Sequence, residues 1–363
     1  MSAKIKEKDA TLILSDGTKF SGKSFAFHSS TSGEVVFNTG MVGYPETLSD
    51  PSYNGQILTL TYPLIGNYGV PSDERDEFGI KKFFESDGVH ISGLVISDYS
   101  HEYSHTSAVK SLGEWLREHK VPAIYGVDTR ALTKKLREKG VMLGKIVIGK
   151  DIKIKNSNKE NQVSKVSTDE VVEYKSKLSA RRAKSVLLVD CGVKNNIIRC
   201  FLDRGVNVKR VPWGYDFTRE KYDGLFISNG PGDPKKCKVT IENLKKALKQ
   251  KRPVFGICLG SQLMALAAGA DTYKLKYGHR AHNQPCIDVD TGKCYITSQN
   301  HGYAVDENTL SRSWEAWFSN ANDGTNEGVR HKSKPFFAVQ FHPEAMSGPT
   351  DTEFLFDDFI KLL

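Results

Sequence analysis

No apolar stretch of this 363-residue chain approaches the roughly 20 residues that a membrane-spanning helix requires. Cysteine is scarce: six residues, none before Cys191 and none in a C-x-x-C pair. That spacing argues against a zinc site, and the expectation is no metal on this chain. Scattered cysteines in a chain without an export signal are expected to be reduced and buried. The first ten residues alternate Lys with Glu and Asp and contain no apolar core segment. They read as neither a secretory signal nor an Arg-rich, acid-poor transit peptide, which favours the cytosol. No internal repeat is evident, and the glycine loop Ser228–Pro234 is not followed by Gly-Lys-Ser/Thr, so a phosphate-binding role for it is disfavoured.

The formal charge of +8 invites a nucleic-acid reading, so its location matters. Residues 151–184 hold nine Lys/Arg against five Asp/Glu, a net of +4 and half of the total. No aromatic-rich binding motif accompanies them, so a solvated basic linker explains the excess. Lys, Asn and Ser without sustained periodicity mark the same stretch as a boundary. The expected organisation is a first domain over 1–150, a linker over 151–183 and a second domain over 184–363.

The first domain reads as a smaller, mixed α/β unit. Strands are expected at Thr11–Leu14, Glu34–Asn38, Gln56–Thr61 and Gly93–Ile96, and helices at Thr106–Glu118 and Ala131–Glu138. In the second domain Ser185–Asp190 is an apolar run of the kind buried on both faces of a parallel sheet. Further strands (Asn207–Val211, Gly224–Ile227, Pro253–Ile257) alternate with helices through Ile198–Leu202, Thr240–Lys249 and Ser261–Ala268. This alternation predicts a doubly wound, mostly parallel α/β sheet, with chemistry beyond the carboxyl ends of its strands. Turn residues at Asp290–Lys293 suggest an inserted hairpin, and Thr352–Leu362 a closing helix.

Gly256-Ile257-Cys258-Leu259-Gly260 falls at a strand-to-helix junction. It has the G-x-S-x-G elbow pattern with Cys as nucleophile. Flanking glycines suit a tight turn, the helix dipole favours thiolate, and the Leu259 N–H is placed for an oxyanion. Alone, the motif reads better as a small buried Cys in a glycine-rich turn, and the strand–helix context with the second motif reverses this. A cysteine nucleophile needs a base, distant in sequence. His342 stands just past the expected strand Pro335–Phe341, with Glu344 two residues on to orient it. His301 is the rival base, while His282 and His331 read as turn or surface residues. The loop Ser228–Pro234 follows another strand of the same sheet and offers the Gly230 and Gly232 amides as a second oxyanion arm.

These motifs resemble the class I (triad) glutamine amidotransferases. Over the whole chain the resemblance is to the glutaminase subunit, or N-terminal glutaminase region, of carbamoyl-phosphate synthetase. It is carried by SNGPGDP (Ser228–Pro234), PVFGICLGSQLMALAAGA (Pro253–Ala270), TSQNHGYAV (Thr297–Val305), NANDGTNEG (Asn320–Gly328) and FAVQFHPEA (Phe337–Ala345). In the first half Gly33–Gly69 carries it, and TYPLIGNYG and VDTRALTKKLRE look most like animal-type fused pyrimidine enzymes. The resemblance implies Cys258 as nucleophile, His342 as base and Glu344 as orienter, with Gly230 and Leu259 donating to the oxyanion. It places Gln262, Asn300, Gly302 and Tyr303 on the glutamine, with Gly232 in the same loop, and Ser52 reaching the substrate from the first domain. Ser261 departs from the His of bacterial members. Ammonia-dependent urea-cycle enzymes resemble this chain but lack the nucleophile, so Cys258 points to glutamine use. The implied activity is glutamine hydrolysis, delivering ammonia to a synthetase partner or fused domain. ATP, bicarbonate and Mg belong to that partner, and this chain carries no cofactor. Rival readings are a catalytically silent module, a γ-glutamyl peptidase and an RNA-binding linker.

Overall fold

The structure is a computed structural model that describes residues 7–178 and 183–363. Residues 1–6 of the N-terminal segment and 179–182 of the expected linker lie outside them. The chain divides into two units, residues 1–76 with 81–160 and residues 77–80 with 161–363. Among the described residues no helix is long and apolar enough to cross a membrane.

The first unit is a closed seven-stranded barrel. Its strands are β1 (Lys8–Leu14), β2 (Lys19–Ser24), β3 (Thr31–Asn38), β4 (Gln56–Leu60), β5 (Gly93–Val95), β6 (Ala123–Tyr125) and β7 (Met142–Val147). Their order is β1-β7-β3-β4-β5-β6-β2, with β3, β4, β5 and β6 parallel in succession. Val36, Leu58 and Leu94 pack with Leu112, Trp115 and Leu116 of helix α1 (Leu112–Glu118). Val35, Ile57 and Val95, one residue away on each strand, point the other way and are also buried. A helix was expected from Thr106, but α1 begins six residues later. Ser111 and Glu114 form a capping box there, and Ala108–Lys110 is instead a strand paired with Val70–Pro71. Val109 is accordingly exposed. The second expected helix is α2 (Thr129–Lys139), capped by Asp128.

The second unit is built on one ten-stranded sheet. In chain order its strands are β8 (Val172–Tyr174), β9 (Ser185–Asp190), β10 (Asn207–Pro212), β11 (Gly224–Ile227) and β12 (Val254–Ile257). They continue with β13 (Asp271–Asp288), β14 (Cys294–Asp306), β15 (Trp314–Asn320), β16 (Asn326–His331) and β17 (Phe336–Val339). The order across the sheet is β8-β10-β9-β11-β12-β17-β16-β15-β13-β14. β10, β9, β11, β12 and β17 are parallel, and the pairings outside them are antiparallel. The inserted hairpin is therefore the edge of a four-strand antiparallel extension.

Helices α3 (Asn195–Leu202) and α6 (Phe354–Leu362) cover one face of the parallel strands, packing on Val186, Leu188, Phe226 and Phe255. Helices α4 (Lys238–Ala247) and α5 (Leu259–Ala267) cover the other, packing on Leu187, Val189, Leu225 and Val254. The period-2 alternation thus feeds two cores at once, which is why these strands read as unbroken apolar runs.

The stretch expected as a linker is anchored to both units. In the first, the Ser157 hydroxyl donates to the Gly55 carbonyl (2.9 Å) and the Asn158 amide to Glu34 (2.8 Å). In the second, Val163 is buried in the core, the Thr168 N–H donates to Asp190 (2.7 Å), and β8 pairs with β10. Apart from the three-residue β8, these are isolated anchors with no period, so nothing in the local pattern announces them.

Phe226 sits among Phe201, Phe255 and Phe356, with centroids 5.1–6.3 Å away. Phe226→Ala should cost about 3–5 kcal/mol in urea unfolding of the second unit, and a midpoint unchanged from the parent chain would contradict this packing.

Candidate active site

The site is assembled where β9, β11, β12 and β17 end. Ile257 pairs with Val339 in register, and the Cys258 N–H donates to the Val339 carbonyl (2.8 Å). The next residue begins α5, so the backbone must turn within one residue. Cys258 takes φ +55° and ψ −105°, a conformation costly for a side chain other than glycine. Both flanking glycines are sterically required. A Cβ on Gly260 would lie 2.2 Å from the Ile227 carbonyl oxygen, and one on Gly256 2.7 Å from the Gly260 carbonyl. The Leu259 N–H, in the first turn of the helix, has no acceptor within that helix. The resting Cys258 thiol faces the Asn300 carbonyl oxygen at 3.6 Å.

His342 lies three residues beyond β17, and its N–H donates to the Ser298 carbonyl of β14 (2.9 Å). Its Nδ1 is 2.6 Å from Glu344 Oε1, and both side chains are buried. This fixes Nδ1 as the donor and leaves Nε2 for chemistry. Nε2 has no hydrogen bond among the described residues, and the Cys258 thiol contributes to raising the ring's pKa. Such contacts tighten when substrate binds. Burial alone would lower the His342 pKa, but the Glu344 charge overrules it and raises it above 6.5. Burial likewise opposes the Glu344 carboxylate, while Lys194 and His342 hold its pKa below 4.5.

Lys194 is the member that sequence reasoning missed. Its Nζ lies 3.0 Å from Glu344 Oε1, with its side chain 9% exposed. It follows β9 in a loop held by Asp190, which accepts from the Gly192 and Val193 N–H groups (2.8 Å each). Asn229 Oδ1 accepts the Lys194 N–H (3.1 Å). A lysine just past a strand's carboxyl end was the available signal.

The Gly230 loop lies beside the elbow. A Cβ there would meet the Cys191 carbonyl at 2.0 Å and the Leu259 side chain at 2.9 Å. Gly232 has φ +86° and packs against Gln162. Gln262 projects from α5 and donates to the Tyr303 carbonyl (2.9 Å) and to Gln340 (3.0 Å). Asn300, Gly302 and Tyr303 follow one another on β14, the strand that meets Cys258 and His342. Ser261 is buried beside Cys258, its hydroxyl unpartnered among the described residues. Ser52 belongs to the first unit, in a turn where its N–H donates to Asp50 (2.9 Å). A cavity of about 510 Å³ in that unit, lined by Asp98, Asp128 and Arg130, contains none of the expected residues.

The other histidines separate cleanly. His301 is turned into the protein, with Nδ1 on the Tyr303 carbonyl (2.9 Å) and Nε2 near Gln299 and Glu327. It is thus committed to a network of its own. His331 is the last residue of β16, and its Nδ1 accepts the Ser333 and Lys334 N–H groups of the turn that follows. His282 differs from expectation: it lies within β13, half-buried, and burial lowers its pKa to about 4. β13 carries a register shift between Ala281 and Gln284 and continues through it. All six cysteines are unpaired, five buried and Cys294 exposed.

Lys194→Met would leave Glu344 with half its compensation, and unfolding should become easier by about 3 kcal/mol. A pH series on Glu344→Gln separates the charge contributions. The lowered Glu344 pKa stabilises the fold above 4.5 and loses effect as pH falls; the raised His342 pKa stabilises below 6.5 and loses effect as pH rises. The stability gap to the parent chain should be widest from pH 4.5 to 6.5. A gap that keeps growing above that window would show the sign to be wrong.

Residues 12–146 match the family model "Carbamoyl-phosphate synthase small chain, CPSase domain", and residues 187–362 match "Glutamine amidotransferase class-I". The chain is 53% identical to "Multifunctional protein pyr1-3" of Dictyostelium discoideum, over 98% of this chain and 17% of that protein. It is 54% identical to "Multifunctional protein CAD" of Squalus acanthias, over 97% of this chain and 16% of that one. It is 52% identical to "Carbamoyl-phosphate synthase [ammonia], mitochondrial" of Mus musculus, over 99% of this chain and 24% of that one. The chain thus spans between a sixth and a quarter of the length of these relatives. With one model matched by each half, the chain belongs to the carbamoyl-phosphate synthase small-chain family, its small-chain domain joined to a class-I glutamine amidotransferase domain.

Proposed function

We propose that this chain hydrolyses L-glutamine to glutamate and ammonia, and that the ammonia serves a carbamoyl-phosphate synthetase partner or fused region. The observation that carries the reading is the strained Cys258 at the head of α5, with the buried His342–Glu344 pair on the adjacent strand end. His342 Nε2 takes the Cys258 proton, and the thiolate adds to the side-chain amide carbon of glutamine. The developing oxyanion accepts hydrogen bonds from the Leu259 and Gly230 N–H groups. Protonated His342 returns its proton to the amide nitrogen, the C–N bond breaks, and ammonia leaves a glutamyl thioester on Cys258. Water, deprotonated by His342, then cleaves the thioester to glutamate and restores the thiol. Glu344 steadies the imidazolium at each stage, and Lys194 keeps Glu344 ionised without taking part in proton transfer.

Asn300, Gly302 and Tyr303 are proposed to line the glutamine, with Gln262 bracing Tyr303 from behind. Ammonia must stay unprotonated to act as a nucleophile, which favours an enclosed transfer to the synthetase. ATP, bicarbonate and Mg are assigned to that partner, for pyrimidine or arginine synthesis. One relative is named for ammonia; retention of a thiol at position 258 favours glutamine here. The six unpaired cysteines favour a reducing compartment such as the cytosol.

Cys258→Ser should lower glutamate release by at least about a thousandfold while leaving the unfolding midpoint in place. Acid quenching of the parent chain with labelled glutamine should trap a thioester that the variant lacks. Undiminished glutamate release from the variant would remove the proposal. Adding a synthetase should speed ammonia release, and indifference to it would argue against the coupled role.

A further inference from the structure

Behind the Asn300–Tyr303 segment lies a second buried cluster that the proposed reaction leaves unused. His301 of β14, His279 of β13 and Glu327 of β16 converge there, with ligand atoms all within 4.8 Å of one another. The rings' protons can be placed by elimination. His301 Nδ1 lies 2.9 Å from the Tyr303 carbonyl oxygen, which can only accept, so Nδ1 carries a proton. His279 Nε2 lies 2.9 Å from the Asp323 carboxylate and likewise donates. Two neutral imidazoles have no further N–H to give. Yet the inner nitrogens also face an acceptor: His279 Nδ1 is 3.1 Å and His301 Nε2 3.4 Å from Glu327 Oε1.

Three electron-rich atoms therefore point at one spot inside the protein. The Asn320 amide is the nearby N–H donor, but at 3.4 Å from His279 and 3.5 Å from Glu327 it is at the long limit of a hydrogen bond. Glu327 is fully buried, and its Oε2 has no partner among the described residues. Its ion pairs among those residues are with the two histidines alone. Positive charge at the convergence point relieves this, as protons added to the cluster or as one divalent cation.

We infer that His279 Nδ1, His301 Nε2 and the Glu327 carboxylate form a binding site for a divalent transition-metal ion of the zinc class. The two spacings to Glu327, 3.1 and 3.4 Å, suit it, since metal–ligand bonds of about 2.0–2.1 Å in a tetrahedron set ligand atoms roughly 3.3–3.4 Å apart. The outer shell suits it as well. Metal-bound histidines hand their other N–H to a carboxylate or a backbone carbonyl, the roles Asp323 and Tyr303 fill here. Gln299 Oε1, buried and 3.3 Å from His301 Nε2, is the candidate fourth ligand. One dication balances Glu327 and Asp323. A closed site with no open position is structural. It ties β13, β14 and β16 together behind the strand that carries Asn300, Gly302 and Tyr303.

The test reads metal content, so it is independent of whether glutamine is the substrate. The full chain, on a Cys258→Ser background so that the reactive thiol does not compete, is purified without nickel resin, stripped with a chelator and titrated with zinc chloride. The expected result is one equivalent bound, with a raised unfolding temperature. Cobalt(II) in place of zinc should give the visible absorption of a tetrahedral N/O site, a readout that needs no further variant. Glu327→Gln and His279→Asn should lose that equivalent, and His331→Asn should keep it. Failure of the parent chain to bind zinc or cobalt would overturn the inference and leave protonation of the cluster as the neutralising charge. So would an equivalent that survives Glu327→Gln.

Discussion

The crossing of α5 over the end of β11 is the contact on which the site depends. Gly260 packs so tightly on the Ile227 carbonyl that no side chain fits, and Gly256 packs in turn on Gly260. With both ends of the turn pinned, Cys258 must absorb the change of direction, and its φ of +55° records that. Such a residue stores strain of roughly 1–3 kcal/mol, which the surrounding structure has to outweigh. Here β12 is hydrogen-bonded on both sides by β11 and β17, and its two faces are buried under different helices. The strain is useful because it places the sulfur at a helix N-terminus, next to an unclaimed N–H.

The parallel ladder that resists the strain also brings the rest of the site together. Strands in register end at one level, so the loops after β9, β11 and β17 emerge beside Cys258 and supply Lys194, Gly230 and His342. Each brings a group that would be costly to bury alone. Glu344 is fully enclosed, and its ionised form survives because Lys194 and His342 face it from two directions. The charge on Glu344 in turn keeps His342 protonated more readily than an ordinary histidine. Removing any one of the three leaves the others under-compensated, so stability and chemistry are coupled here.

The second unit is larger on its antiparallel side than a parallel α/β sheet needs. β14 is the strand through which that extension touches the site: one of its residues faces the thiol, another pairs with His342, and His301 faces inward to His279 and Glu327. Alternation along a strand makes this possible, since neighbours at positions 300 and 301 point to opposite sides. The same strand can therefore face Cys258 on one side and be braced on the other.

Much of this was legible from residue order. Apolar runs near Leu187, Phe226 and Phe255 announced strands buried on both faces, because that burial leaves no polar positions in the run. The glycines at 256 and 260 announced the elbow, because a turn that tight excludes side chains. His342 and Glu344 were legible as a pair because they sit two residues apart at a strand end. Lys194 was not, because its partner is 150 residues away and only the sheet order makes them neighbours. The same holds for His279, His301 and Glu327, which three separate strands bring together. The anchoring of the expected linker, the early stop of α1 toward its N-terminus and the placing of His282 inside a strand also followed from contacts outside their own segments. Local pattern determines what a segment can become, since burial and backbone sterics act over a few residues. Which buried charges face one another is decided by strand pairing alone, because the cost of an uncompensated charge is met only once the chain has closed around it.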